Sequence, residues 1–265
     1  MKSHITWLVV IGLITLSSNG FAEQGKGSIS QKNEQYNKEE KERKRKKKPD
    51  SQNNLLQKLS YSAPPFLGAP SQSRLVGMAL RGGGANDFLL SVLTPAHTGL
   101  SLKAQPDIFW YTSQPISKPF HFVEFVLNSD KAIKPILRTH LVSPKKAGVQ
   151  KISLSDYNIE LEPDTEYTWS ISLVPDPASR SHDFVTSGKI KYVKGNDVLL
   201  NTIKTTSLKL QANLYATEGY WYDAVASIIR QTKQHPEDQS FRNNLSALIN
   251  QVGLYQIAKK IDVSI

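Results

Sequence analysis

EYTWSISLV, residues 166–174, is the stretch whose reading decides the fold. Tyr167, Trp169, Ile171 and Leu173 alternate with Thr168, Ser170 and Ser172, so one face is apolar and the other polar. Period two is the signature of a strand lying half-buried in an antiparallel sheet, and a helix of this sequence would scatter its apolar groups around the axis. Similar short runs recur on both sides: LVGMAL (75–80), FLLSVL (88–93), DIFWYT (107–112), FHFVEFVLN (120–128), ILRTHLV (136–142), VQKISL (149–154) and FVTSGKIKYV (184–193). Turn-forming residues punctuate them, as in NSDK (128–131), SPKKAG (143–148) and EPDT (162–165). Strands at this spacing predict an immunoglobulin-like antiparallel β-sandwich over residues 74–195, with an eight-stranded barrel as the alternative.

After about residue 197 the period becomes helical. LKLQANLYATEGYWYDAVASIIRQTKQHPEDQ (208–239) can be laid against the tetratricopeptide repeat, in which large and small residues at fixed places let two helices nest. Leu208, Ala212, Tyr215, Ala224, Ile228 and Pro236 match that pattern, with Gly219 in the turn, whereas Gln231 stands where a small residue is wanted. Gly219 and Gly253 are 34 residues apart, as are Ala224 and Ala258, so GYWYDAV and GLYQIAK read as one structural step taken twice. The fold class expected is therefore α+β: the sandwich, then a small repeat-like helical hairpin in residues 196–265. Two copies leave apolar faces that must dock on the sandwich or on a partner.

Upstream, MKSHITWLVVIGLITLSSNGFA (1–22) has Lys2, an apolar run from Ile5 to Leu16 and small residues before a cleavage point at Ala22. This reads as a signal peptide, with an uncleaved anchor as the alternative, although the run is shorter than the roughly 20 residues that span a bilayer. An exported protein, periplasmic or extracellular, is expected. Residues 23–73 read as a disordered Lys/Gln-rich linker, too polar to offset the entropy of ordering. Within it, residues 23–50 carry ten Lys/Arg against six Asp/Glu and so contribute +4 of the total charge of +10. The run KEEKERKRKKKPD (38–50) fits weak attraction to anionic lipid or acidic polysaccharide, and export removes nucleic acid as a partner. Cysteine is absent, which excludes disulfides and thiolate chemistry.

No catalytic, metal or cofactor residues are assigned. RGGGAND (81–87) has the glycines of a phosphate loop but neither the Lys-Ser/Thr nor the following helix, so it reads as a loop between strands. His97, His121, His140, His182 and His235 lack metal-ligand spacing, and no Gly-x-Ser-x-Gly elbow occurs. Glu160, Glu162, Asp164 and Glu166 surround a turn and read as a solvated hairpin. PDPASRSHD offers a network of Asp176, Arg180 and Asp183, with Arg180 otherwise available as a carboxylate-binding fork. Tyr220, Trp221 and Tyr222 cannot all face one side of a helix, so at least one is expected to be exposed for binding. Arg180 and these three aromatics are the candidate interaction residues.

RLVGMALRGGG, LTPAHTGLSLKAQPDIFWY, VEFVL, SLVPDPASRSHDF, LYATEGYWYDAV and VGLYQIA together resemble the bacterial, largely cyanobacterial, family called domain of unknown function 928, over about residues 74–262. The resemblance implies a signal peptide, a β-rich middle and a short helical end, and it adds little chemistry because the family's activity is itself uncharacterised. Many members carry a cysteine after the glycine-rich loop and another where this chain has Pro175. The resemblance therefore implies that the 84–88 region and residue 175 lie close in space. The function expected is that of a non-enzymatic envelope or secreted interaction module, its partner an unidentified envelope or secreted protein. The alternative is a carbohydrate-binding or carbohydrate-active module using Trp110, Tyr111 and Trp221 as stacking rings. Exposed aromatics in a plane beside acidic groups would favour the alternative, and buried aromatics with a groove along the hairpin would favour the first.

Overall fold

A computed structural model of the chain describes residues 59–65, 74–78 and 88–264, all of which fall in one compact unit. The stretch read as a signal peptide, the basic run and RGGGAND lie outside the described residues. The protein is α+β, and its described residues form two sheets followed by five helices.

One sheet holds β1 (Leu75–Met78), β2 (Phe88–Val92), β4 (Asp107–Thr112) and β7 (Gly148–Ser153) in the order β1-β2-β4-β7, all antiparallel. The other holds β3 (Gly99–Ser101), β5 (Phe122–Ser129), β6 (Leu137–Leu141), β8 (Glu166–Val174) and β9 (Phe184–Tyr192) in the order β3-β9-β8-β5-β6. β3 runs parallel to β9, and the remaining pairs in this sheet are antiparallel. A closed eight-stranded barrel is thereby ruled out, because the strands divide between two sheets.

β8 buries Tyr167, Trp169, Ile171 and Leu173 as its period requires. Its polar face begins half-exposed at Thr168 and Ser170 and then closes over at Ser172, which pairs with buried Glu124 on β5. The Tyr167 hydroxyl accepts the N–H of Glu162 at 3.0 Å and ties the strand to the turn before it. β2 and β4 are buried along almost their whole length, as expected of strands covered on both faces. Residues of both sheets and of the helices belong to a single apolar cluster that includes Leu90, Trp110, Phe125, Trp169, Trp221 and Ile228.

The helices are α1 (Asp197–Thr205), α2 (Leu208–Thr217), α3 (Trp221–Gln234), α4 (Gln239–Gln251) and α5 (Tyr255–Ser264). The C-terminal segment is thus larger than the expected hairpin. Asn196 caps α1 by accepting from Leu199 N–H, and Asp238 caps α4 by accepting from Ser240 N–H. α2 packs on α3, α3 on α4 and α4 on α5, while α3 also rests on β3 and β4 and α5 on β7. The division at residue 195 separates strands from helices along the chain, but the two parts share their core.

Gly219 and Gly253 close the α2–α3 and α4–α5 turns with φ of +83° and +81°. The left-handed region costs a side-chain-bearing residue about 1–2 kcal/mol. A Cβ on Gly253 would meet only Arg74 Nη2 at 4.0 Å, whereas one on Gly219 would lie 2.6 Å from Pro64 Cγ. Gly253→Ala is expected to cost about 1–2 kcal/mol in urea unfolding. Gly219→Ala should cost clearly more, and equal losses would show that Pro64 yields freely.

Candidate functional site

Residues 220–223 enter α3 at the point where helices meet both sheets. Trp221 is fully buried, and its Nε1–H donates to the carbonyl of Leu93 at 2.9 Å. The Tyr222 hydroxyl accepts from Trp169 Nε1 at 2.8 Å, donates to the Lys189 carbonyl at 3.0 Å and lies 3.1 Å from Thr94 Oγ1. One hydroxyl therefore uses its donor and both acceptors to connect β8, β9, the β2–β3 loop and α3. Tyr220 is buried as well, at 8% exposure. The expectation that one of Tyr220, Trp221 and Tyr222 stays exposed is overturned. A helix flanked by a second helix on one side and by strands of both sheets on another can bury consecutive residues, because each meets a different neighbour.

Asp223, next in line, is 4% exposed and accepts the N–H of Leu102 through Oδ2 at 2.7 Å, holding α3 to the end of β3. Burial raises its pKa from 3.8 to about 6, against the opposing effects of the Leu102 N–H, Lys103 and Ser101. The folded protein binds this proton more tightly than the unfolded chain, so the contribution to stability is full below pH 3.8 and declines as pH rises to about 6. Asp223→Asn keeps an acceptor oxygen and loses the titration. Its stability relative to wild type is expected to improve between pH 4 and 6, by on the order of 1–3 kcal/mol, in urea unfolding at stepped pH. A pH-independent difference would contradict the assignment.

Arg180 lies in a second cluster. Its Nη2 donates to Glu124 Oε2 at 2.8 Å and its Nε to Asp183 Oδ2 at 2.6 Å, while Arg138 Nη1 reaches the same Glu124 oxygen at 3.1 Å. His140 stacks on Phe122 with centroids 4.0 Å apart. Burial alone would raise the pKa of Glu124, but hydrogen bonding and charge from Arg180 and Arg138 hold it below the ordinary value. The predicted Arg180–Asp183 pair is present. Asp176 is not a partner of Arg180; its Oδ1 accepts from Ala178 N–H instead. The loop is fastened to Glu124, 56 residues away, which sequence spacing does not reveal.

The carboxylates around the 162–166 turn are partly engaged. Glu166 binds Lys189 at 2.8 Å and accepts from Thr98, and Glu162 meets Lys131 at 3.5 Å. Among the described residues no group of three His, Asp or Glu side chains is arranged to hold a metal ion, and no helix is long and apolar enough to cross a membrane.

Residues 59–65 fall inside the stretch read as linker, yet they are packed. Leu59 is 3% exposed, Tyr61 lies edge-on to Trp221 with centroids 5.0 Å apart, and Ser62 N–H donates to the Ala216 carbonyl at 3.0 Å. For these residues the expectation of disorder is corrected: leucine and tyrosine two positions apart reach apolar surface that the average composition of the segment conceals.

The family described as Domain of Unknown Function (DUF928) matches residues 76–261. The chain belongs to this family. The matched span runs from β1 into α5, so both sheets and all five helices lie within or at the edge of the DUF928 region. The segment 59–65 lies outside it. Among curated proteins, none matches the chain. The implied neighbourhood of the 84–88 region and residue 175 is described only from Phe88 onward. Phe88 meets Phe120 at 6.0 Å, and His121 N–H beside it donates to the Val174 carbonyl at 2.7 Å.

Proposed function

We propose that this protein is an exported, non-enzymatic interaction module of the envelope or the secreted fraction. The observation that carries the reading is where its aromatic surface goes. Trp110, Tyr111, Trp169, Trp221 and Tyr222 are all 2% exposed or less, and Tyr255, at 61%, is the one large aromatic that is mostly exposed among the described residues. A single ring makes no sugar-stacking platform, so the carbohydrate alternative loses the residues it relied on. The apolar run before Ala22 supports export.

The finer architecture follows the same reading. An immunoglobulin-like arrangement is supported by two sheets, β1-β2-β4-β7 and β3-β9-β8-β5-β6, whose residues share one core, and by Tyr167, whose hydroxyl bonds the backbone five residues upstream in the manner of a tyrosine corner. A tetratricopeptide-like repeat is supported by two positive-φ glycines 34 residues apart and by the burial of both Ala224 and Ala258. Gln231, the departure from that pattern, is buried with its Nε2 donating to the Leu208 carbonyl and to Ser227 Oγ.

The test is affinity capture from envelope extract with residues 23–265, run beside a panel of immobilised polysaccharides. A specific protein partner and no retention on glycans is the expected result. Retention on a glycan with no protein captured would overturn the proposal.

A further inference from the structure

Residues 59–65, LSYSAPP, lie as an extended strap against the helices, and the contacts they make are those of a recognised peptide. The side-chain amide of Gln251 holds the strap backbone in both directions: Nε2 donates to the Leu59 carbonyl at 2.7 Å and Oε1 accepts from Tyr61 N–H at 2.9 Å. A carboxamide that pairs with one residue's carbonyl and the N–H two residues on reads an extended backbone without regard to side chain. Specificity then comes from three positions. Leu59 is buried, Tyr61 stacks on His97 at 5.8 Å and meets the edge of Trp221, and Pro64 covers Gly219, where a Cβ would collide with it. Ser60, Ser62, Ala63 and Pro65 face solvent.

Two further facts separate the groove from its occupant. Gln251, Gly219, Trp221, Ala216 and His97 all fall within residues 76–261, matched by the family, whereas the strap precedes that span. The strap also pairs with no strand of either sheet, so its removal leaves both ladders complete.

Resting on the interaction-module reading, we propose that the groove between the α2–α3 turn, α4 and the β2–β3 loop recognises an extended protein segment of the form Leu-x-Tyr-x-x-Pro. In this structure the chain's own residues 59–65 fill it and hold it against partners. A tethered occupant competes at an effective concentration in the millimolar range, so a free partner binds only when it outcompetes the strap or when the strap is released.

The test uses the full chain with a specific protease site placed within residues 66–73. After cleavage and removal of the N-terminal fragment, a fluorophore-labelled LSYSAPP peptide is titrated into the protein. Saturable binding is expected, with the uncut chain about 100-fold weaker because of its tethered competitor. Peptides with alanine in place of the leucine or the tyrosine should bind at least about tenfold more weakly, as should the native peptide to Gln251→Ala. That side chain is exposed, so its replacement leaves the core intact. A cut protein that stays folded but binds no peptide, or binds a scrambled one equally well, overturns the proposal. So does a cut protein that unfolds, since the strap would then be a structural strand. Concentration-dependent dimers of the uncut chain that vanish in Tyr61→Ala would make a second copy the occupant and exclude a separate partner. Running the cut wild-type protein on the polysaccharide panel beside the peptide titration separates the two readings. Glycan retention would sink the interaction module, whereas absent peptide binding without glycan retention would sink the groove alone.

Discussion

Trp221→Ala is expected to lower stability by about 3–5 kcal/mol, the range for removing a large aromatic from a packed core. For a chain of this size that corresponds to a fall of roughly 6–20 °C in Tm. Trp221 has 0% exposure and occupies the meeting point of α3, the β2–β3 loop and the strap residue Tyr61. Truncation opens a cavity among three elements that cannot collapse together, and it leaves the Leu93 carbonyl without its indole donor. Trp221→Phe retains most of the ring and loses the hydrogen bond, so a smaller loss is expected. Urea unfolding followed by both far-ultraviolet circular dichroism and tyrosine fluorescence provides the check. One transition displaced for both probes is the expected behaviour of a shared core. Two transitions, with only the helical one displaced, would show that the sheets and helices fold separately.

Tyr222→Phe should cost about 1–3 kcal/mol although it removes a single oxygen. That oxygen is the acceptor for Trp169 Nε1–H, in the middle of β8, and the donor to the Lys189 carbonyl. Phenylalanine fills the same space, so packing is retained and the loss measures the unsatisfied groups left behind. Burial also pushes the Tyr222 phenol well above its ordinary pKa, as expected of a hydroxyl that stays protonated inside the fold. Equilibrium unfolding of the single variants Tyr222→Phe and Trp169→Phe and of the double variant would isolate their coupling. Additive losses would mean that the 2.8 Å bond between the two rings contributes nothing of its own.

The polar cluster around Glu124 illustrates how a loop was legible and its fastening was not. The density of charge in PDPASRSHD marks a constrained loop, and the neighbours Arg180 and Asp183 do pair. The stronger anchor is a carboxylate on β5, which register with β8 brings beside the loop. Asp176 was an equally good partner on spacing alone, yet its geometry favours a local turn with Ala178.

Eight of the nine described strands and the change to helix near residue 197 are legible as short apolar runs between turn residues and as a change of period: β8 alternates because one side is apolar, whereas β2 and β4 are continuous apolar runs because both faces are covered. The 34-residue echo of Gly219 at Gly253 was equally legible, since a left-handed turn admits little else. β3 escaped because three residues, Gly99–Ser101, are too few to show a period, and its parallel pairing with β9 is made across some ninety positions of chain. The burial of Tyr220, Trp221 and Tyr222 and the seating of Leu59 and Tyr61 were decided by tertiary structure alone. A local pattern assumes one core on one side, and these residues lie where helices, two sheets and an upstream segment converge.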